Sequence, residues 1–396
     1  MSNLSSIGGS NARDYSCLFG RLRLGLCCIN SELQDTQDIF CSRTMAKKNF
    51  TIELAQERAL KNIADITPIL KWNAEHQIYC LRLTSELFPR YTDPDVVPYT
   101  KDFARTQLYA AGDYARSLNQ RLLCHPSQFN VVGTPDRGIF ANTCRQLQHE
   151  AEILDLMGVD DSGILIVHMG GVYGDKPKTK LRWIQQFQEL PANVRSRLAI
   201  ENCEKNCSAL DGLEIAEACG IPMVFDLFHY ACYTHLHPKE APIDIAELFP
   251  RILKTWDRLP QGGVPRGGGP WGARRAIMHI SEQAVDWEKV QSSGTWISKE
   301  QPRIGAHSDY IREIPIWFLD LLVKHEARVD LEVEAKAKEK AIIKLYELYP
   351  QIFSASSNSA SDLSAEIQKL QINPPDSATP TAASPRSVRL VIRKRV

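Results

Sequence analysis

The 396-residue chain has no apolar run approaching the 18 residues that a membrane-spanning helix requires. Its opening stretch, MSNLSSIGGSNARDY, lacks the hydrophobic centre of a secretory signal. It has no CxxC pair, and its 11 cysteines are odd in number and scattered, which excludes the short, even spacings of a disulfide scaffold. Cys27, Cys28 and Cys124 sit inside apolar runs, as buried thiols do in a reducing compartment. Neither charge is in excess: 47 basic residues balance 47 acidic ones, so any hold on nucleic acid must come from a local basic face. The phosphate-cradling GxxxxGK[ST] loop is missing too, so ATP is not expected. These absences leave an intracellular, soluble protein with no membrane partner. What is present, 43% hydrophobic and 24% charged residues, is the composition of an ordinary globular domain.

Both ends read as flexible tails. Residues 1–20 are rich in Ser, Asn and Gly. From 354 to 396 the chain is low in complexity, with Ser, Ala, Thr and Pro interrupted by a short amphipathic stretch from Leu363 to Ile372. It closes on SPRSVRLVIRKRV, a basic end that serves as a solvated tail, a phosphate contact or an address. Between the tails, residues 21–350 repeat one theme. Short β-rich apolar runs occur at 22–30, 78–85, 121–127, 164–170, 198–203, 223–229, 276–281 and 329–335. Segments of helical period lie between them, such as 103–119 and 245–259. Strands alternating with helices outline an α/β fold, either a (β/α)8 TIM barrel or an open doubly wound sheet.

The polar residues favour the barrel. Nearly every run ends in a chemically useful group: Asn30, Arg82 or Ser85, His125 with Gln128, His168, Glu201 with Asn202, Asp226 with His229, His279 and Glu334. In a barrel all carboxyl ends of the strands converge on one rim, whereas an open sheet would spread them along an edge. One histidine at a strand end is usually structural. Four of them, with three acids at other ends, need pairing or a metal, because buried charges are otherwise too costly. Imidazole and carboxylate ligands gathered in one bowl suit Zn²⁺ or Mn²⁺, and so many suit a multinuclear site. Such a site serves phosphoryl chemistry or sugar carbonyls equally well.

Motifs carry the reading further. The strings RLGLCCIN, CSRTMAKKNF, HPSQF, HMGGVYGDK, ENCE, FDLFHY, HISEQ, HSDYI and EVEAKAKEKAI resemble, in order, the motif blocks of the UV damage endonucleases. The resemblance covers about residues 21–347. It implies a fold similar to endonuclease IV and incision of DNA immediately 5′ to UV photoproducts, and to abasic sites, leaving a 3′-hydroxyl and a 5′-phosphate. The expected partner is UV-damaged double-stranded DNA and the expected cofactor a set of divalent ions, Mn²⁺ first, with Zn²⁺ or Mg²⁺ as alternatives. The implied metal ligands are His125, His168, Glu201, Asp226, His229, His279, His307 and Glu334, with Glu201, Asp226, Glu334 and His229 at the chemistry. Gln128 and Phe129 are implied as lesion probes, Gln as a hydrogen-bonding wedge and Phe by stacking on displaced bases. Asn30, Leu26 and Arg275 complete the expected DNA contacts, and the chain is expected to act as a monomer.

The sequence departs from the family pattern at three points. Leu26 stands where many relatives have a tyrosine, and can wedge between bases but not hydrogen-bond to them. Phe129 replaces a frequent tyrosine. Ile277 stands where better-known relatives carry a carboxylated lysine that contributes to the metal centre. Strand alternation puts Ile277 one layer below His279 and Glu332 one layer below Glu334, both pointing inward, so Glu332 is expected to supply the missing carboxylate as a further metal ligand. Pairing of Glu332 with a basic core residue such as Lys336, or a centre with fewer metals, are the competing expectations. His235 and His237 form an HxH pair with no strand end to place them and are read as surface residues. Arg266, Arg274 and Arg275, with Lys176, Lys178, Lys180, Arg182 and Lys205, are candidates for a positive rim or for ordinary exposed charge. A metal-dependent sugar isomerase or epimerase, and a damage-binding protein without nuclease activity, are the alternative functions.

Overall fold

The computed structural model describes residues 13–240, 242–257, 275–285, 287 and 303–354. Eight runs rich in Leu, Ile, Val and Cys form parallel strands: β1 (Leu22–Cys27), β2 (Cys80–Leu83), β3 (Arg121–Cys124), β4 (Leu165–His168), β5 (Leu198–Glu201), β6 (Met223–Asp226), β7 (Ala276–Ile280) and β8 (Val329–Val333). Each pairs with the next, and β8 returns to β1, closing the barrel. The fold is therefore a (β/α)8 TIM barrel. Closure leaves no sheet edge and buries both faces of every strand, so the runs read as continuous apolar stretches.

Strand residues alternate between the barrel interior and the helical layer. Leu24 and Leu26 of β1 pair in register with Leu331 and Val333 of β8, and all four are buried in the hydrophobic core. The inward set is charged and layered. At the amino end of the strands Asp330 receives Arg23 Nε at 2.7 Å, Arg275 Nε at 2.8 Å and Arg121 Nη1 at 3.2 Å. Above it lies Glu332, whose Cγ comes so near Gly25 that a Cβ there would meet it at 3.3 Å and Cys80 Cβ at 2.9 Å. Glycine on β1 keeps that space open.

Helix boundaries follow capping chemistry. Asn30, Thr51, Asp136, Asp175, Asp226 and Asp244 each accept a backbone N–H from the first turn that follows, and Ser208 with Asp211 forms a reciprocal capping box. The run expected as a strand over 223–229 therefore divides: β6 stops at Asp226, whose side chain caps the helix Leu227–Leu236. The helices expected over 103–119 and 245–259 occupy Arg105–Ser117 and Ile245–Thr255. Among the described residues no helix is long and apolar enough to cross a membrane. Both terminal segments expected as tails, apart from 13–20 and Ser354, lie outside the described residues, as do Arg266 and Arg274.

Candidate metal centre

Strand register assembles the site. His168 on β4 is level with Glu201 on β5, Asp226 on β6 with His279 on β7, and His279 with Glu332 on β8. In a parallel pair, residues level with one another point the same way, so these side chains must share the barrel interior. Glu201 is the hub. One carboxylate oxygen, Oε2, lies 2.9 Å from His125 Nε2 and 3.5 Å from His168 Nε2. The other, Oε1, lies 2.8 Å from His279 Nδ1 and 3.3 Å from His229 Nδ1. Asp226 Oδ2 stands 3.5 Å from His229 Nδ1 and 3.8 Å from His279 Nδ1. Glu334 Oε1 is 3.7 Å from His279 Nδ1, and His307 Nε2 reaches Glu334 Oε2 at 3.9 Å. All eight residues expected as ligands thus meet in one bowl, with His307 at its outer edge, where it bridges to Gln283.

Glu201, Asp226 and His279 are fully buried, and the protonation pattern reflects their crowding. Burial alone would raise the Glu201 carboxyl, but His279 and His168, with hydrogen bonds from His125 and His229, hold it well below its usual range. Burial raises the Asp226 carboxyl, and the charges of Glu201 and Glu334 add to the effect. Burial opposes protonation of His279, yet Glu201 and Glu332 lift it to about 10. His168 goes the other way, to about 4, because burial outweighs its attraction to Glu201.

The donor set fits divalent metal ions. Among the described residues, three groups of ligand atoms lie within 4.8 Å of one another: His125, His168 and Glu201; His125, His279 and Glu334; and Glu201, Asp226 and His229. Asp226 Oδ2 and His168 Nδ1 are buried and make no hydrogen bond. A buried carboxylate oxygen without a hydrogen-bond donor, facing imidazoles, is what a cation would satisfy.

Several sequence expectations need correction. Glu332 lies outside those three groups, although its Oε1 is buried without a hydrogen-bond partner. Its Oε2 accepts from Arg82 Nη2 at 2.9 Å and lies 3.0 Å from His279 Nε2, on the side of the ring turned away from Glu201. A basic partner was among the expectations, but it is Arg82, and Lys336 is exposed. Ile277 is fully buried. Arg275 is no DNA contact: it precedes β7 at the barrel's amino end, is buried, and is held by Asp330 and the Gly20 and Val329 carbonyls. Leu26 faces the helices in the core and cannot wedge between bases. Asn30 is fully buried and spends its Oδ1 capping the helix Ser31–Gln37.

Gln128 and Phe129 stand clear of the surface on the loop after β3, and the Phe129 ring is 79% exposed. A cleft of about 710 Å³ opens beside them, bordered by Ser85, Ser127, Asn130 and Gln146. His149 lines it, buried, with both ring nitrogens lacking hydrogen-bond partners. Of the rim cations, Lys176 and Lys180 are spoken for by Asp211, and Lys178 by Asp175. His237 stacks on Tyr233 at 4.1 Å and contacts the Lys205 carbonyl at 2.9 Å, while His235 lies against Trp287; both stand apart from the ligand groups. Arg82, noted at the end of its strand in the sequence, was given no role there. Its inward parity with Cys80 on β2 was the available signal.

The family model described as UV-endonuclease UvdE matches residues 22–363. A protein of Acanthamoeba polyphaga mimivirus is 31% identical over 338 residues, covering 83% of this chain and 91% of its own length. The UV-damage endonuclease of Schizosaccharomyces pombe is 29% identical over 340 residues, covering 83% of this chain and 51% of that protein. Among solved structures, the crystal structure of SacUVDE matches with a TM-score of 0.67 at 24% identity, covering 84% of this chain and 99% of the other.

Proposed function

Given that the chain belongs to the UV-endonuclease UvdE family, we propose that it is a metal-dependent DNA-repair endonuclease that incises the backbone immediately 5′ to UV photoproducts and abasic sites. The observation that carries this reading is the buried Glu201 carboxylate shared among four imidazoles beside the uncapped Asp226 oxygen. His125, His168, Glu201, Asp226, His229, His279, His307 and Glu334 would hold the ions, Mn²⁺ in the first place and Zn²⁺ or Mg²⁺ otherwise. Bound there, the ions would supply activated water and charge neutralisation at a phosphoryl group.

The chain's own residues do the rest. Glu201, with an oxygen towards each pair of imidazoles, keeps four rings aimed at one volume. Asp226 fixes the first turn of the helix that carries His229 by accepting its backbone N–H at 2.7 Å, so the ring enters the bowl in one orientation. Gln128 and Phe129 insert where damaged bases leave the duplex, Phe129 stacking and Gln128 hydrogen-bonding, and the adjoining cleft gives displaced nucleotides room. The nuclease unit spans 21–350 and acts as a monomer on double-stranded DNA.

The test is to incubate the chelator-stripped chain, with and without Mn²⁺, with UV-irradiated and undamaged supercoiled plasmid. Cuts are then mapped on an oligonucleotide carrying one photoproduct. Mn²⁺-dependent nicking of the irradiated plasmid alone, with the cut on the 5′ side, is expected. Retention of irradiated DNA without nicking would make the chain a damage-binding protein, and neither outcome would leave the sugar-processing alternative.

A further inference from the structure

One inward-facing pair in the barrel lies outside the three groups of candidate ligands. Arg82 and Glu332 are side by side in the layer below the bowl, with side-chain exposures of 12% and 0%. A buried ion pair contributes little to stability against an apolar pair of the same volume, so its stability alone does not explain its position. Its contacts do. Arg82 reaches Glu332 Oε2 through Nη2 at 2.9 Å and Nε at 3.2 Å, and the same Nη2 donates to Glu334 Oε1. Glu332 Oε2 also lies 3.0 Å from His279 Nε2, whereas Arg82 Nη2 is 3.5 Å from that nitrogen. The shorter contact decides the hydrogen bond: Nε2–H of His279 donates to Glu332. The two ring nitrogens point in opposite directions, so this bond leaves Nδ1, 2.8 Å from Glu201, as the atom facing the bowl.

We propose that Glu332 and Arg82 are positioning residues of the metal centre: Glu332 holds His279 through Nε2–H so that Nδ1 is the ligand atom, and Arg82 ties Glu332 to Glu334. The proposal rests on the metal-centre reading above and deepens it. Outer carboxylates that fix the tautomer and the orientation of a ligating imidazole are a general device of metal sites. Here the device spans β2, β7 and β8, so one guanidinium sets the relation between a histidine ligand and a carboxylate ligand on neighbouring strands. Gly25 contributes by keeping a Cβ out of the space beside Glu332.

The test is Mn²⁺ titration of the full chain, stripped of metal, by isothermal calorimetry. Glu332→Ala is expected to bind the same number of ions as the parent with about 10–100-fold weaker affinity. Glu332→Gln keeps a carbonyl oxygen for His279 Nε2–H and is expected to fall between parent and alanine variant. Long-range ¹H–¹⁵N spectra of the histidine side chains are expected to show His279 held as Nε2–H in the Mg²⁺-loaded parent and mixed between tautomers in Glu332→Ala. A loss of one ion per chain in both variants would make Glu332 a ligand and overturn the proposal, as would unchanged affinities. If Glu332→Ala does not fold, the near-isosteric glutamine variant decides by the same isotherm. A parent that binds no divalent ion sinks the metal-centre reading itself, and is distinguished from failure of this proposal alone, in which the parent binds and the variants match it.

Discussion

Replacing Asp330 by Asn puts a number on the charge cluster at the amino end of the barrel strands. Three guanidiniums surround this one carboxylate, from Arg23, Arg275 and Arg121 at 2.7–3.2 Å, and Asp330 is fully buried. Burial alone would raise its pKa, but Arg23, Arg275 and Arg121 hold it at about 2, against 3.8 for the free group. That depression is worth about 2 kcal/mol at any pH above the unfolded value, since each pKa step of one is about 1.4 kcal/mol. The stabilisation is present above about pH 4 and is lost as the pH falls through about 2. The amide variant loses it and leaves three buried cations facing one another, for which about 3–5 kcal/mol is expected. At this chain size that is a fall in Tm of roughly 4–7 °C. The assay is urea unfolding of parent and variant from pH 7 down to pH 2, followed by circular dichroism. The gap between them should be widest above pH 4 and narrow by about 2 kcal/mol on the way to pH 2. Because the bowl lies at the other end of the strands, Mn²⁺ affinity should be unchanged in Asp330→Asn. A gap under about 1 kcal/mol at pH 7, or one that stays constant below pH 4, would refute the reasoning.

Other substitutions test other layers. Gly25→Ala would place a Cβ 2.9 Å from Cys80 Cβ and 3.3 Å from Glu332 Cγ; a loss of about 1–3 kcal/mol in urea unfolding is expected from overpacking. Leu26→Ala should cost about 2–5 kcal/mol as a core truncation, while the preference for irradiated over undamaged DNA in a filter-binding assay stays as in the parent. Phe129→Ala should reverse that pattern. Its ring is 79% exposed, so stability should hold within about 0.5 kcal/mol, and binding to irradiated DNA should weaken by about 1–3 kcal/mol if one base stacks there.

The barrel and the clustering of seven of the expected ligands were legible in the sequence because both depend on strand ends, whereas His307 sits in a loop and only the family resemblance pointed to it. Period and composition located β1 to β8, and the convergence of carboxyl ends made the clustering of His125, His168, Glu201, Asp226 and His279 a geometric necessity. His229 was placed on a strand although it rides on a helix; a capping aspartate ends a strand with no change in apolar pattern, so periodicity missed the boundary. Leu26, Asn30 and Arg275 were misassigned for a shared reason. Motif position places a residue along the chain but not on a face, and Leu26 has the outward parity, Asn30 the capping geometry and Arg275 the amino end of its strand. Arg82 was visible but unassigned, because its meaning depends on Glu332 and Glu334, 250 and 252 residues away. No local pattern carries that information.

On the proposed function, the short connection between β3 and its loop would work as a ruler. His125 stands just past the end of β3 at the bowl, and the exposed ring of Phe129 follows only four residues later, so no more than about 14 Å of backbone can separate them. If one end of that tether grips a cation and the other a distorted base, the spacing between cut and lesion is a property of chain length and does not depend on what the lesion is. Lengthening the tether by a residue or two would move the incision along the strand without altering a single ligand.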